Sequence, residues 1–468
     1  MPKALTSRPW SAAYPFAVIA AFLDGILIPM GALDRHAPRR VVCRRRPGGA
    51  GPMNGLRGRL VIVACAGLLL NFVVLPLRAL SYLGQSDFVP YDAAGRIIRA
   101  GGQCLYCIAT QEASVHFVAG TANDGGLDTI GGLVFISPPA VAWLFAPLAG
   151  LDPHLGRVIF MVLSTAGLGL AAWLIATRWL PGLGQGQRIC LVIASIASVP
   201  AVIGVAGQID PLIFTAVVVG ITLARRVPVL GGVLIGALVL KPQLFVLVPV
   251  ALIVSRQWRV LAGTALSTAL VATSMFAEGL SHVLDWPRFV AAYGSLSDWL
   301  PQSLPPQLGF LTGSRLVLAG AALLCYALGT VCLWRCRRRL GSVQSAVEMG
   351  LVLTMIASPH LFGADLVMLV IPLIGVAAQD WSRAIGLALA VSVAGVLDVE
   401  LGVAIAGPLV LVAIALVTVA PGLLGRRTGR TVALEIVGHA YSQRIRGLGL
   451  ATDGARAARA GGHTSAAP

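Results

Sequence analysis

Charge is scarce in this sequence. Of 468 residues only 12% are Asp, Glu, Lys or Arg, against 57% hydrophobic, which excludes a soluble domain with an ordinary hydrated surface. Acidic residues are the scarcest, 19 against 35 Lys and Arg, and the formal net charge is +16. Nucleic acid is nevertheless excluded as a partner. No recognition module accompanies the charge, and the basic residues form short clusters between apolar runs rather than one stripe. The alternating segments of about ten residues that build a membrane β-barrel are missing. So is any βαβ pattern with a glycine-rich turn, which removes a nucleotide-sugar domain. Cysteine is sparse too. Cys65, Cys190, Cys325 and Cys332 lie in apolar runs and read as small hydrophobes. Cys104 and Cys107 form a lone C-x-x-C. Zinc would need two more ligands, so an oxidised local pair or two unremarkable thiols are the readings. No cluster has metal-ligand spacing. No cofactor is implied, and divalent-metal dependence stays open.

What is present is apolar length. Mean hydropathy is +0.85, and apolar runs fall near 60–80, 157–177, 189–206, 211–224, 229–240, 243–255, 260–276, 315–334, 346–357, 366–379, 384–397 and 403–424. The expected fold is all-α and polytopic in a lipid bilayer, with about ten to twelve transmembrane helices. Several runs fall short of the roughly 20 residues that cross the hydrocarbon. Either neighbours merge, or half helices surround a polar cavity. The positive-inside rule sorts the rest. With Arg57 and Arg59 cytoplasmic, alternation also places inside Arg178 with Arg188, Arg225 with Arg226, Arg256 with Arg259, the Arg335–Arg339 cluster, Arg383, and Arg426 onwards. The other side receives Asp87, Asp92, Asp124, Asp128, Asp210, Glu278, Asp285, Asp365, Asp398 and Glu400.

Residues 1–56 run apolar then basic, the reverse of a signal peptide. They read as an extension ahead of a start at Met53, or as an extra anchor. The main domain is expected over 57–425, with outer loops at 81–137 and 277–312. A basic cytoplasmic tail, 426–468, follows.

Four polar breaks carry the chemistry. Asp87 stands where the first spanning run emerges, with Tyr91 and Asp92 close behind; Tyr91 to Arg99 suits an amphipathic helix that Gly101-Gly102 ends. As a solvated loop carboxylate Asp87 does nothing; held against an apolar surface it suits a general base. Gly207-Gln208-Ile209-Asp210-Pro211 reads as a tight turn with Asp210 capping the next helix. Lys241-Pro242-Gln243 lies between two short apolar runs, where a lysine faces a cavity, an anion or a carboxylate, or snorkels to the interface. In Ser358-Pro359-His360, with Asp365 beyond, His360 suits a phosphate or a sugar hydroxyl, or is structural. All four breaks sort to the outer side, so one polar site assembled from them is expected.

In order, these pieces resemble glycosyltransferase family 87 of the GT-C superfamily, the mannosyl- and arabinofuranosyltransferases that use polyprenyl-phosphate sugars. The carrying residues are Asp87-Phe88 with Tyr91, Ala93-Ala94 and Gly101-Gly102; Pro138-Pro139 with Leu144 to Leu148; Gly207-Gln208; Gly232 and Gly236 ahead of Lys241-Pro242-Gln243; and Ser358-Pro359-His360 with Asp365. The likeness runs from about Leu60 to Leu424. It implies an inverting hexosyltransferase of the bacterial inner membrane that acts at the extracytoplasmic face. The donor would be a polyprenyl-phosphate sugar and the acceptor a glycolipid or polysaccharide. By the same likeness Asp87 is the catalytic base, Lys241 and His360 bind the donor phosphate, and Tyr91, Asp92, Gln208, Gln243 and Asp365 line the substrate site. Two departures fall near the sugar region: Ser137 stands ahead of the proline pair, and Gln103-Cys104-Leu105-Tyr106-Cys107 follows the glycine pair. The rival class is a transporter or flippase for a lipid-linked or anionic substrate, which broken helices also suit. No internal repeat supports it.

Overall fold

Helix dominates the described chain, and no strand occurs among the described residues. The structure, a computed structural model, describes residues 88–101, 104–120, 134–180, 184–186, 188–189, 205, 207–276, 283–293, 303–361 and 363–377. The expectations for 1–56, the run near 60–80, most of 189–206, the runs near 384–397 and 403–424, and the tail lie outside these residues, as does Asp87.

Helix α1 (Phe88–Arg99) starts three residues before the expected Tyr91 and ends where Gly101 takes φ +66°. Nine of its residues are buried, because α2 (Ile108–Gly120), α3 (Pro139–Phe145) and a 3₁₀ turn (Leu148–Gly150) close around it. Pro138 and Pro139 set the start of α3, the first as cap and the second inside the first turn, where a missing N–H costs nothing. Helix α4 (Pro153–Leu174) is capped by Asp152, whose carboxylate accepts from the N–H groups of His154 and Leu155. Its last turn loosens into a π turn, Ile175–Trp179.

Helix α5 (Asp210–Leu223) leads through Arg225 and Arg226 to α6 (Pro228–Ile235), which tightens into a 3₁₀ segment, Gly236–Leu240. At Lys241 the backbone leaves the helical region, with φ −125° and ψ 84°. The cause is Pro242, which disfavours helical geometry in the residue before it. The chain resumes as a 3₁₀ turn (Pro242–Leu244) and then α7 (Leu247–Val254). The orphan N–H of Leu247 is taken 3.0 Å away by Thr354 Oγ1. So two half helices form a hairpin whose tip is Lys241. Helix α8 (Trp258–Ser274) lies along α6. In their seam Gly232 and Gly263 let the backbones touch: a Cβ on Gly232 would overlap the carbonyl oxygen of Val260. Thr264 Oγ1 and Ser267 Oγ donate across it to the carbonyls of Gly232 and Val233.

Helices α9 (Asp285–Tyr293) and α10 (Leu304–Thr312) precede α11 (Arg315–Arg335). Helix α12 (Val343–Ala357), begun by a Ser342–Ser345 capping box, leads through a 3₁₀ segment (Gly363–Leu369) to α13 (Val370–Ala377). Among the described residues two helical stretches, Pro153–Trp179 and Arg315–Arg335, are long and apolar enough to cross a membrane. Helix α11 turns Leu316, Leu323 and Leu328 outward at 85%, 71% and 59% exposure, a face suited to hydrocarbon rather than water. The shorter apolar stretches among the described residues are Asp210–Leu223, Pro228–Leu240, Pro242–Val254, Val343–Ala357 and Ala364–Val376, and Asp210, Lys241 and Asp365 lie at or beside their ends.

The two expected outer loops meet. Trp286 Nε1 on α9 donates to the Ile136 carbonyl at 2.9 Å, and the Phe289 ring lies 5.6 Å from that of Tyr106.

Candidate functional site

Lys241 is the centre of the polar site. Its side chain is 7% exposed and its ammonium makes three hydrogen bonds. Nζ donates to Asp210 Oδ2 at 2.6 Å, to Asp365 Oδ1 at 2.8 Å and to Gln208 Oε1 at 3.2 Å. The same Gln208 oxygen accepts from the Tyr91 hydroxyl at 3.2 Å. One chain of contacts thus joins α1, the turn before α5, the hairpin tip and the 3₁₀ segment after α12. Asp210 and Asp365 are fully buried. With Lys241 cationic and both carboxylates ionised, the trio carries a net negative charge.

Each partner is placed by a local break. Asp210 opens α5, and Pro211 fixes that first turn. The sequence reading of Asp210 as a helix cap needs correction. Ile209 is the capping residue, with no side-chain cap, and the Asp210 carboxylate turns to Lys241 instead. Its other oxygen, Oδ1, is buried and has no hydrogen-bond partner among the described residues. Tyr91 is held by its ring, stacked on Phe145 with centroids 5.0 Å apart.

The other expected site residues lie around this centre. His360 sits in the break after α12. The Ser358 hydroxyl accepts from its N–H and donates to its carbonyl, closing a tight turn. Burial holds the imidazole below its ordinary value, opposed by the Asp365 carboxylate and reinforced by the Lys241 ammonium. Asp92 faces elsewhere. It is fully buried, and its Oδ2 accepts from Arg96 Nε at 2.8 Å. Arg96 continues to the Leu151 carbonyl and lies over the Phe117 ring. Burial raises the Asp92 pKa, with the Arg96 pairing pulling the other way. Gln243, half-buried two residues beyond the tip, shares no hydrogen bond with the cluster among the described residues.

Lys241 was expected to offer its charge to a donor phosphate. An ammonium has three protons, and here all three are engaged. The pairing with Asp210, across 31 residues, and with Asp365, across 124, carries no local signature. The clue was the cost of a lysine at membrane depth, which demands carboxylates.

Cys104 and Cys107 form a disulfide. Between them, Tyr106 donates its hydroxyl to the Ser137 carbonyl at 2.7 Å. The two departures noted above therefore touch each other. Among the described residues no group of three or more His, Cys, Asp or Glu side chains is placed to hold a metal ion.

Residues 135–359 match the profile of glycosyltransferase family 87. No curated protein and no solved structure matches the chain. The matched segment contains Gln208, Asp210 and Lys241, while Tyr91, His360 and Asp365 flank it. Residues 135–359, just under half of the chain, are thus similar to glycosyltransferase family 87, a GT-C-type family of membrane glycosyltransferases.

Proposed function

We propose that the chain transfers a hexose or pentose, mannose first among them, from a polyprenyl-phosphate sugar to a glycolipid or envelope-polysaccharide acceptor. The reaction runs with inversion at the extracytoplasmic face of the bacterial inner membrane. The fold that goes with it has about ten to twelve transmembrane helices and a cytoplasmic C-terminus. The acceptor oxygen attacks the anomeric carbon as the bond to the phosphate oxygen breaks. Its proton goes to Asp87 and the negative charge to polyprenyl phosphate.

One observation carries this reading. Asp87 directly precedes α1, and Tyr91 on α1 is tied through Gln208 to Lys241, inside the family-matched segment. Helix α1, which follows Asp87 in sequence, is thereby tied to the core. We assign Lys241 to fixing the outer ends of the segments that meet there. His360, in the electrostatic reach of Lys241 and Asp365, takes the departing phosphate. We also assign Tyr91, Gln208 and Asp365 to substrate binding beside them, with Asp92 and Gln243 as outlying members of the same site. The Cys104–Cys107 disulfide suits an oxidising exterior, which supports the sidedness.

The test is sugar transfer by the purified protein in lipid, offered labelled polyprenyl-phosphate sugars with a membrane-lipid extract. Asp87→Asn is expected to lower transfer by about 10²- to 10⁴-fold while leaving thermal stability unchanged. Undiminished transfer in that variant removes Asp87 as base. No transfer from any donor by folded protein moves the weight to transport.

A further inference from the structure

The turn from α7 to α8 places a charged side chain where backbone geometry favours glycine. Arg256 has φ 59°, the only positive value for a non-glycine residue among those described. An L side chain is strained there, and a helix that ends this way ordinarily ends on Gly. Strain of this kind persists where the surroundings have a use for the residue.

Arg256 borders a cavity of about 410 Å³ between the end of α5, the start of α6 and the first turn of α8. Arg259, Trp258 and Gln257 line one side, and Ala224 and Pro228 the other. Arg225 and Arg226 follow Ala224 in the same turn. All four arginines are exposed, and none makes an ion pair among the described residues. The cavity lies at the far end of α5 and of the hairpin from Lys241, away from the proposed reaction. Trp258 in the lining is 57% exposed, and Val227, Leu230 and Ile253, within three residues of lining positions in sequence, are 48%, 47% and 45% exposed. A ligand matched to these surroundings has an anionic head and apolar tails. A topological charge bias alone requires neither a cavity nor a strained backbone.

We infer that this cavity holds the phosphate of an anionic phospholipid of the inner leaflet. Arg256 and Arg259 grip the phosphate oxygens, Trp258 sits at the interfacial level and the acyl chains lie along Val227, Leu230 and Ile253. The inference goes beyond the glycosyltransferase reading and stands or falls without it.

The experiment is a thermal-unfolding titration of the purified full-length protein in neutral detergent. The probe is dioctanoyl phosphatidylglycerol, with dioctanoyl phosphatidylcholine and inorganic phosphate in parallel. Phosphatidylglycerol is expected to raise the unfolding midpoint saturably, and the other two are not. Arg259→Gln and Arg256→Gly should each weaken half-saturation about fivefold, the factor for one basic residue at an anionic lipid surface. Arg256→Gly should also raise the lipid-free midpoint, because glycine relieves the turn. An equal response to phosphatidylcholine, or to inorganic phosphate alone, overturns the lipid site. So does a phosphatidylglycerol response that survives unchanged in both variants.

Discussion

An ammonium group has three protons to give, and Lys241 gives one each to Asp210, Asp365 and Gln208. Removing it strands two carboxylates at a buried point, at a cost of about 3–5 kcal/mol for a broken buried pair. Lys241→Met is therefore expected to lower the unfolding midpoint sharply. Adding Asp210→Asn and Asp365→Asn should recover most of the loss, because the uncompensated charge is gone. Donor affinity in that triple variant separates the two roles for Lys241. Affinity that returns with the fold makes the lysine an organiser, and affinity that stays lost makes it a phosphate ligand. His360 gives a pH signature. Its folded pKa lies below the ordinary 6.5, so the unfolded chain binds more protons between the lowered value and 6.5. Stability then rises with pH through that window and is lost on acidification below 6.5. His360→Gln should flatten that loss in a pH series of thermal melts. Polyprenyl phosphate, by favouring the imidazolium, should stabilise the wild type more on the acidic side of 6.5.

Among the elements, the α6–α8 seam holds the hairpin leg in place. Gly232 and Gly263 face each other with no space for a side chain, and hydroxyls from Thr264 and Ser267 bond to carbonyls across the contact. Gly232→Val pushes the helices apart and breaks both hydrogen bonds. A loss of about 1–3 kcal/mol or more is expected, read as a lower melting temperature and less sugar transfer. Gly320→Ala on α11 is the matched control. Nothing lies within 4 Å of the added methyl group, and alanine favours helix by about 1 kcal/mol, so stability should hold or rise. A seam that tolerates Gly232→Val removes close backbone approach as its basis.

For the whole molecule, the sequence was most informative about where the chain breaks. Polar residues inside apolar runs are expensive, so Gln208, Lys241 and Asp365 announced themselves, and their common side followed from the arginine clusters. Periodicity and paired glycines located α1 within three residues. What stayed hidden was partnership. Asp210 has the local signature of a cap, and nothing nearby reveals that its carboxylate belongs to a lysine on another segment. The partner of Gly232 lies on α8, outside its own glycine motif. The contact of Tyr106 with Ser137 joins two positions that sequence reading treats as separate departures. Arg256 offered no signal at all, since an arginine in a turn looks ordinary until its φ is known.

The order in which Lys241 finds its partners has a consequence for biosynthesis. Asp210 leaves the ribosome 31 residues ahead of Lys241, while Asp365 follows 124 residues behind. At about 5–20 residues per second, that interval lasts roughly 6 to 25 s. Throughout it the hairpin tip carries a balanced pair, one ammonium and one carboxylate, which the membrane tolerates better than either alone. The second carboxylate, arriving last, converts a neutral intermediate into the finished site. The lysine thus never waits alone at this depth, because its first carboxylate precedes it, and the site is completed only once Asp365 has been made.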